Sequence, residues 1–171
     1  MANRPETDIE AEKQLWDQLS DTRTGMLWVQ GSGQHPQPMT HFADPDSGAL
    51  WFITASDTDL VAAMGEGAQA GFTLVSGSGD YHASMTGPLV PYNSDEKIDE
   101  LWNFAVAAWF EKGRADETVQ LIKFTPREAS VWASQGNPVL VGLKMMRAAM
   151  TEGESHPDVG THKVLHLSIA A

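Results

Sequence analysis

The chain has 171 residues, 42% of them apolar, a formal charge of −12 and no cysteine. That size and composition fit one globular domain over residues 1–171, while the acidity opposes binding to nucleic acid or anionic membranes and leaves small ligands and proteins as partners. Without cysteine there is no disulfide, thiolate metal site or cysteine nucleophile, which suits a reducing cytoplasm.

Residues 1–7 are polar, contain Pro5 and are expected to fray. No apolar h-region opens the sequence, and no apolar run reaches the roughly 18 residues that a membrane helix needs, so a cytoplasmic protein is expected. Ile9, Leu15, Trp16 and Leu19 recur at helical spacing and predict a helix ending near Ser20. Thr24 to Gln30 is apolar and β-prone, and Gly31-Ser32-Gly33 turns it into a partner strand from about His35. Asp44-Pro45-Asp46-Ser47-Gly48 makes the next turn, followed by a strand around Trp51 and a short helix from Thr58 to Met64.

Residues 69–76 read as another strand, and Tyr81 to Val90 as a long one that Pro88 and Pro91 push towards an edge or bulge. From Ser94, the residues Ile98, Leu101, Trp102, Ala105 and Trp109 share one helical face, with Asp95 and Glu96 at the favourable N-terminal end. Glu111 to Glu117 reads as an exposed loop and Val119 to Phe124 as a strand stopped by Pro126, which residues 127–132 prolong to Trp132. An apolar helix from Val139 to Met150 and a last strand from Val164 to Ile169 complete the chain. Short strands joined by hairpin turns imply a mainly β, antiparallel sheet, and about six strands avoid exposed edges most simply by closing into a barrel with flanking helices.

The strand through Trp51 runs into a helix at Thr54-Ala55-Ser56-Asp57-Thr58-Asp59-Leu60. Such junctions present free amides and hydroxyls to anions. Yet the sequence has no Lys or Arg from Thr24 to Glu96. On the preceding strand Gln37, Met39 and His41 share one face.

Other constellations are weaker. His162 and His166, with His156, Glu152 and Asp158, have ligand-type side chains, but the segment reads as strand and no metal site is expected. Gly65 to Gly71 misses the dinucleotide fingerprint by one residue and follows a helix, so it reads as a turn. No nucleophile elbow or carboxylate pair stands out, so any redox chemistry belongs to a bound cofactor. Trp51, Trp102 and Trp132 are expected in core or interface.

The ordered series Thr24-Gly25-Met26-Leu27, Pro38-Met39, Leu50-Trp51-Phe52-Ile53-Thr54, Thr86-Gly87, Leu101-Trp102, Ala108-Trp109-Phe110-Glu111-Lys112-Gly113, Phe124-Thr125-Pro126 and Val131-Trp132 resembles the general stress protein 26 group of pyridoxamine-phosphate-oxidase-like proteins. The resemblance runs from about residue 12 to 168. It implies a split β-barrel, a homodimer, and flavin mononucleotide (FMN), or another small flat ligand, in a cleft between subunits.

By the same resemblance, Gln37, Pro38, Met39, Thr40, Thr54, Ser56 and Asp57 surround the cofactor, and Trp109 and Phe110 border the flavin. The family pattern has an Arg before Pro-Met and a Lys in the following helix, both facing the FMN phosphate. This sequence has Gln37 and Leu60 there, and Asp57 and Asp59 beside the same helix terminus, so a weakened phosphate site is expected. Restoring Arg at 37 and Lys at 60 is expected to tighten FMN binding. The alternatives left open are an FMN-dependent oxidoreductase on a small substrate, another flavin, and a cofactor-free dimeric interaction protein.

Overall fold

The computed structural model describes residues 5–134 and 160–167. Helix α1 (Asp8–Asp21) opens with a capping box, in which Thr7 accepts from the Glu10 amide while Glu10 reaches back to the Thr7 amide. It buries Ala11, Leu15 and Leu19 at helical spacing; Ile9, placed on that face by the sequence, is 82% exposed.

The chain then forms β1 (Thr24–Val29), β2 (Gln37–Thr40), β3 (Phe42–Asp44), β4 (Ala49–Ala55), α2 (Asp59–Met64), β5 (Ala68–Val75) and β6 (Tyr81–Tyr92). Helices α3 (Asp95–Leu101) and α4 (Phe104–Ala107) lead through a 3-10 turn at Gly113–Ala115 to β7 (Val119–Phe124), β8 (Glu128–Ala133) and β9 (Thr161–His166). The expected Val139–Met150 helix lies outside the described residues, as do Ile169, His156, Glu152 and Asp158.

Every strand pairing is antiparallel, in the order β2-β1-β5-β6-β7-β4-β3. The first and last strands of that path are successive legs of one segment bent at His41, so the sheet curls back on itself as a split barrel. β8 branches off, pairing with β6 on one side and β9 on the other.

The split falls on β6. Its first half, Tyr81 to Thr86, pairs with β8, and its last residues, Leu89 to Tyr92, pair with β7. Pro88 therefore does not push β6 to a sheet edge: it sits at the handover, where neither β7 nor β8 requires a donor. Beyond Leu89 the β5 register has ended, so Pro91 has a neighbour only on the β7 side. Residues 127–132 likewise do not prolong β7. The chain turns at Thr125-Pro126-Arg127 and returns as β8 against the other half of β6.

The barrel interior holds Leu27, Phe52, Phe72, Leu74, Met85, Leu89, Ile122 and Phe124, capped by the buried face of α1. A smaller cluster forms outside, where Ala49, Trp51 and Leu121 on the outer face of β4 and β7 pack against Ile98 of α3. Both faces of β4 are therefore covered, which explains its continuous apolar run. Trp51 is buried as expected. Its indole N–H donates to Asp44 Oδ2 at 3.1 Å, and the Lys97 and Lys123 ammonium groups stand 5.4 and 5.2 Å from its ring.

The single helix expected from Ser94 to Trp109 is interrupted. Trp102 is extended, and Asn103 Oδ1 accepts from the Ala105 and Val106 amides and so caps a new short helix. Among the described residues no helix is long and apolar enough to cross a membrane.

Candidate functional site

The sequence-predicted residues fall into two groups. Gln37 and Met39 on β2 are half-buried, with Met39 packed against the barrel core, while Pro38 and Thr40 alternate outward into solvent. β2 also lies against β4. Thr54 stands one residue before the end of β4, opposite Gln120, and Ser56 and Asp57 form the exposed turn before α2. The side chain of Gln34 donates to the Asp59 carbonyl at 2.9 Å, which ties the β1–β2 loop to the start of α2. The structure thus brings Gln37 and the Thr54–Asp57 turn to one end of the barrel.

The side chains of Gln37 and of the Thr54–Asp59 segment are neutral or acidic. Thr58 is committed locally, donating to the Ala55 carbonyl and accepting from the Val61 amide. Asp57 and Asp59 are exposed. Leu60, where the resemblance places a phosphate-binding Lys, is 1% exposed and belongs to the barrel core. A Lys at 60 would enter the interior, which corrects the expectation that Leu60→Lys tightens FMN binding.

The loop before β7 adjoins the same turn. The Ser56 amide donates to the Thr118 carbonyl at 2.7 Å, and Asp116 accepts from Thr118 and from the Lys112 amide. Those bonds hold the Asp116 carboxyl below its ordinary range, with the Thr118 hydroxyl first among the causes. Arg114 is forked onto α3, with Nε 2.6 Å from Asp99 Oδ1 and Nη2 2.8 Å from Asp95 Oδ1. It is therefore engaged, whereas the Lys112 ammonium has no ion pair among the described residues.

Trp109 and Phe110 diverge. Phe110 is 8% exposed and packs on Trp102 with ring centroids 5.7 Å apart, whereas Trp109, in the turn after α4, is 83% exposed and Phe104, at the start of α4, 90%. Only Trp109 of the pair offers free aromatic surface.

A cleft of about 380 Å³ opens elsewhere, between the end of α1, the bend at His41 and the α3–α4 junction. Arg23, His41, Phe42, Leu101, Trp102 and Asn103 are among its lining residues; of the residues the sequence singles out around the junction, His41 is there, but none of those that the resemblance places around the cofactor is. His41 is fully buried. Its ring lies 5.1 Å from that of Phe72, and Nε2–H donates to the Leu19 carbonyl at 2.7 Å, leaving Nδ1 a buried acceptor without a hydrogen-bond partner.

Burial, followed in weight by the opposing bond to Leu19 and the charge of Arg23, lowers the His41 pKa below 6.5. The unfolded chain therefore takes up this proton first as pH falls. The contribution of His41 is complete above about pH 6.5 and is lost as pH falls towards its folded value, with a slope of up to about 1.4 kcal/mol per pH unit. Urea unfolding from pH 7.5 to 5.5 should show this increment in the parent and lack it in His41→Gln. Equal slopes would contradict it.

His162 and His166 lie on one face of β9, opposite Trp132 and Glu128. His162 stacks on Trp132 with centroids 4.8 Å apart and shares a 2.7 Å hydrogen bond with Ser130. Four residues along a strand separate the two histidines by roughly 13 Å, too far to chelate one ion together.

A split barrel of antiparallel strands with these flanking helices points to a known class, and the comparisons agree. The family model described as pyridoxamine 5'-phosphate oxidase like matches residues 10–158, and the chain belongs to that family. Within the family its likeness is to the general stress protein 26 group. A crystal structure described as general stress protein 26 from Jannaschia sp. CCS1 has 31% sequence identity and a TM-score of 0.77, covering 94% of this chain and 100% of that one. The general stress FMN/FAD binding protein of Xanthomonas citri has 33% identity and a TM-score of 0.69, covering 75% and 92%. A general stress family protein of Xanthomonas campestris pv. campestris has 32% identity and a TM-score of 0.70, covering 78% and 93%. No curated protein matches the chain in sequence.

Proposed function

We propose that this is a cytoplasmic, dimeric flavin-binding protein related to redox or stress response, which recognises the ring and polyol of its flavin more than the phosphate. The observation that carries the reading is the junction at Thr54–Asp57. It offers hydroxyls rather than cations and is fastened through Ser56 and Thr118 to the loop that follows the exposed Trp109. The described binding of FMN or FAD by the Xanthomonas citri relative supports it. A bound flavin would supply the redox chemistry, and Gln37, Thr54, Ser56 and Trp109 would hold and orient it.

Titrating apoprotein with FMN and riboflavin should give affinities within about tenfold of each other, because positions 37 and 60, where the resemblance places the phosphate-binding cations, hold Gln and Leu. Gln37→Arg should then improve FMN binding by roughly ten- to a hundredfold while leaving riboflavin nearly unchanged. A parent that prefers FMN a hundredfold would show that another group, with Lys112 foremost, holds the phosphate.

The second subunit is proposed to cover the outer sheet face, where Met26, Val75, Trp132 and Val164 are exposed together. Sedimentation at micromolar concentration should give a dimer, and Trp132→Glu should shift it towards monomer. A parent that sediments as monomer removes both the dimer and the intersubunit site.

The exposed Asp57 and Asp59 favour one rival reading, a dimeric interaction protein whose cleft no longer binds a cofactor. Absence of flavin absorption after reconstitution, together with a stable dimer, would select it.

A further inference from the structure

We propose that the cleft between α1, the His41 bend and the α3–α4 junction binds a small aromatic carboxylate, with Arg23 as its anion-binding group. The site is distinct from the Thr54–Asp57 junction, and the proposal does not depend on the flavin reading.

Its volume of about 380 Å³ lies within the range of small-molecule pockets. Phe42, Leu101 and Trp102 give it apolar and aromatic walls, and Trp102 is backed by Phe110, which fixes a flat surface at the mouth. The polar groups around it are mostly committed. Glu100 binds Lys97 through both oxygens at 2.9 and 3.1 Å, Asn103 caps α4 and donates to the Leu101 carbonyl, and Ser20 donates to the Trp16 carbonyl.

Besides the buried His41 Nδ1, Arg23 is the exception. Its guanidinium stands 5.5 Å from the centre of the Phe42 ring and makes no hydrogen bond or ion pair among the described residues. In a chain of charge −12, a cation left without a carboxylate at the rim of a cleft is available for one from outside. A guanidinium matches a carboxylate through two parallel N–H donors, while the ring below it suits an aromatic body. Burial disfavours the charged form of the adjoining His41, so Arg23 is the main cation lining the cleft, which suits a singly charged carboxylate.

The test uses benzoate, its neutral isostere benzamide, and acetate, which has the charge without the ring. Each is titrated into the full-length protein, with and without added riboflavin, and followed by amide chemical shifts. Benzoate should perturb Arg23, Phe42 and the segment Leu101–Asn103 and bind at least about tenfold more tightly than benzamide or acetate.

Arg23→Gln should erase the preference for benzoate over benzamide, and Arg23→Lys should keep part of it. Arg23 is exposed, so near-UV circular dichroism should confirm that both variants fold. Ser20→Trp, which fills the cleft without altering its charge, should weaken all three probes. Three results overturn the proposal: no benzoate binding at millimolar concentration, shifts confined to another surface, or Arg23→Gln binding benzoate as tightly as the parent. Flavin binding without benzoate binding would remove this site and leave the function proposed above intact, and the converse result would do the opposite.

Discussion

Leu60→Lys is expected to lower folding stability by about 3–5 kcal/mol, the cost of an uncompensated charge in a packed interior. Leu60 is 1% exposed and packs with the barrel core on the inner side of α2. An ammonium there must lose its proton, drag water inwards, or prise α2 from the barrel. Against the 5–15 kcal/mol that ordinary domains possess, any of these is a large fraction. Leu60→Met, of similar volume and without charge, should cost less than about 1.5 kcal/mol. Urea midpoints of the two variants decide the matter. A Lys variant as stable as the parent would mean that position 60 reaches solvent, and the phosphate role implied by the resemblance would be open again.

Gly87→Ala should cost about 3 kcal/mol, although it adds one methyl group. Gly87 marks the point where β6 passes from β8 to β7, and the main chain of Thr125 and Pro126 crosses directly over it. A Cβ at 87 would press on the Thr125 carbonyl oxygen, well inside van der Waals contact, and backbone cannot swing aside as a long side chain can. Relief requires the Thr125–Arg127 turn to lift, which strains the bonds from the Thr125 amide to the Pro88 carbonyl and from the Arg127 amide to the Thr86 carbonyl. Gly77→Ala, which meets nothing within 4 Å, should stay within about 0.5 kcal/mol of the parent. Thermal unfolding of the pair separates the two cases, and equal midpoints would show that the crossing is looser than it stands here.

Strands were legible where apolar alternation was bounded by turn residues. Val119–Phe124 matches the reading, and β1 and β5 differ from it by a single residue at their ends. The break in the helix from Ser94 is hidden in the sequence because the apolar period continues from Ile98 through Trp109, while the decisive event is local: the Asn103 side chain captures two backbone amides. Pro88 and Pro91 look like edge signals because a sequence does not show a strand exchanging partners along its length. Leu60 could be aligned with a family position, but only the register of α2 on the barrel shows which way its side chain points. The cleft left no spacing motif at all. Arg23, His41 and the Trp102-Asn103 pair come from three separate segments, and the one available hint is that Arg23 is the last Lys or Arg before a long stretch without either.

The seam between β4 and β7 has a consequence for the speed of folding. Leu50 pairs with Phe124 and Ala55 with Val119, so β4 meets β7 only after β5, β6 and α3 have been laid down between them. The β1–β2 and β5–β6 hairpins join neighbours along the chain and need little search. The β4–β7 pairing must meet the entropy of closing a long loop before any of its contacts reward it. Contact order, rather than stability, then sets the pace, and the barrel belongs with domains that refold in milliseconds to seconds and not in microseconds. During that interval the continuous apolar run of β4, covered on both faces in the finished molecule, stands open to other chains.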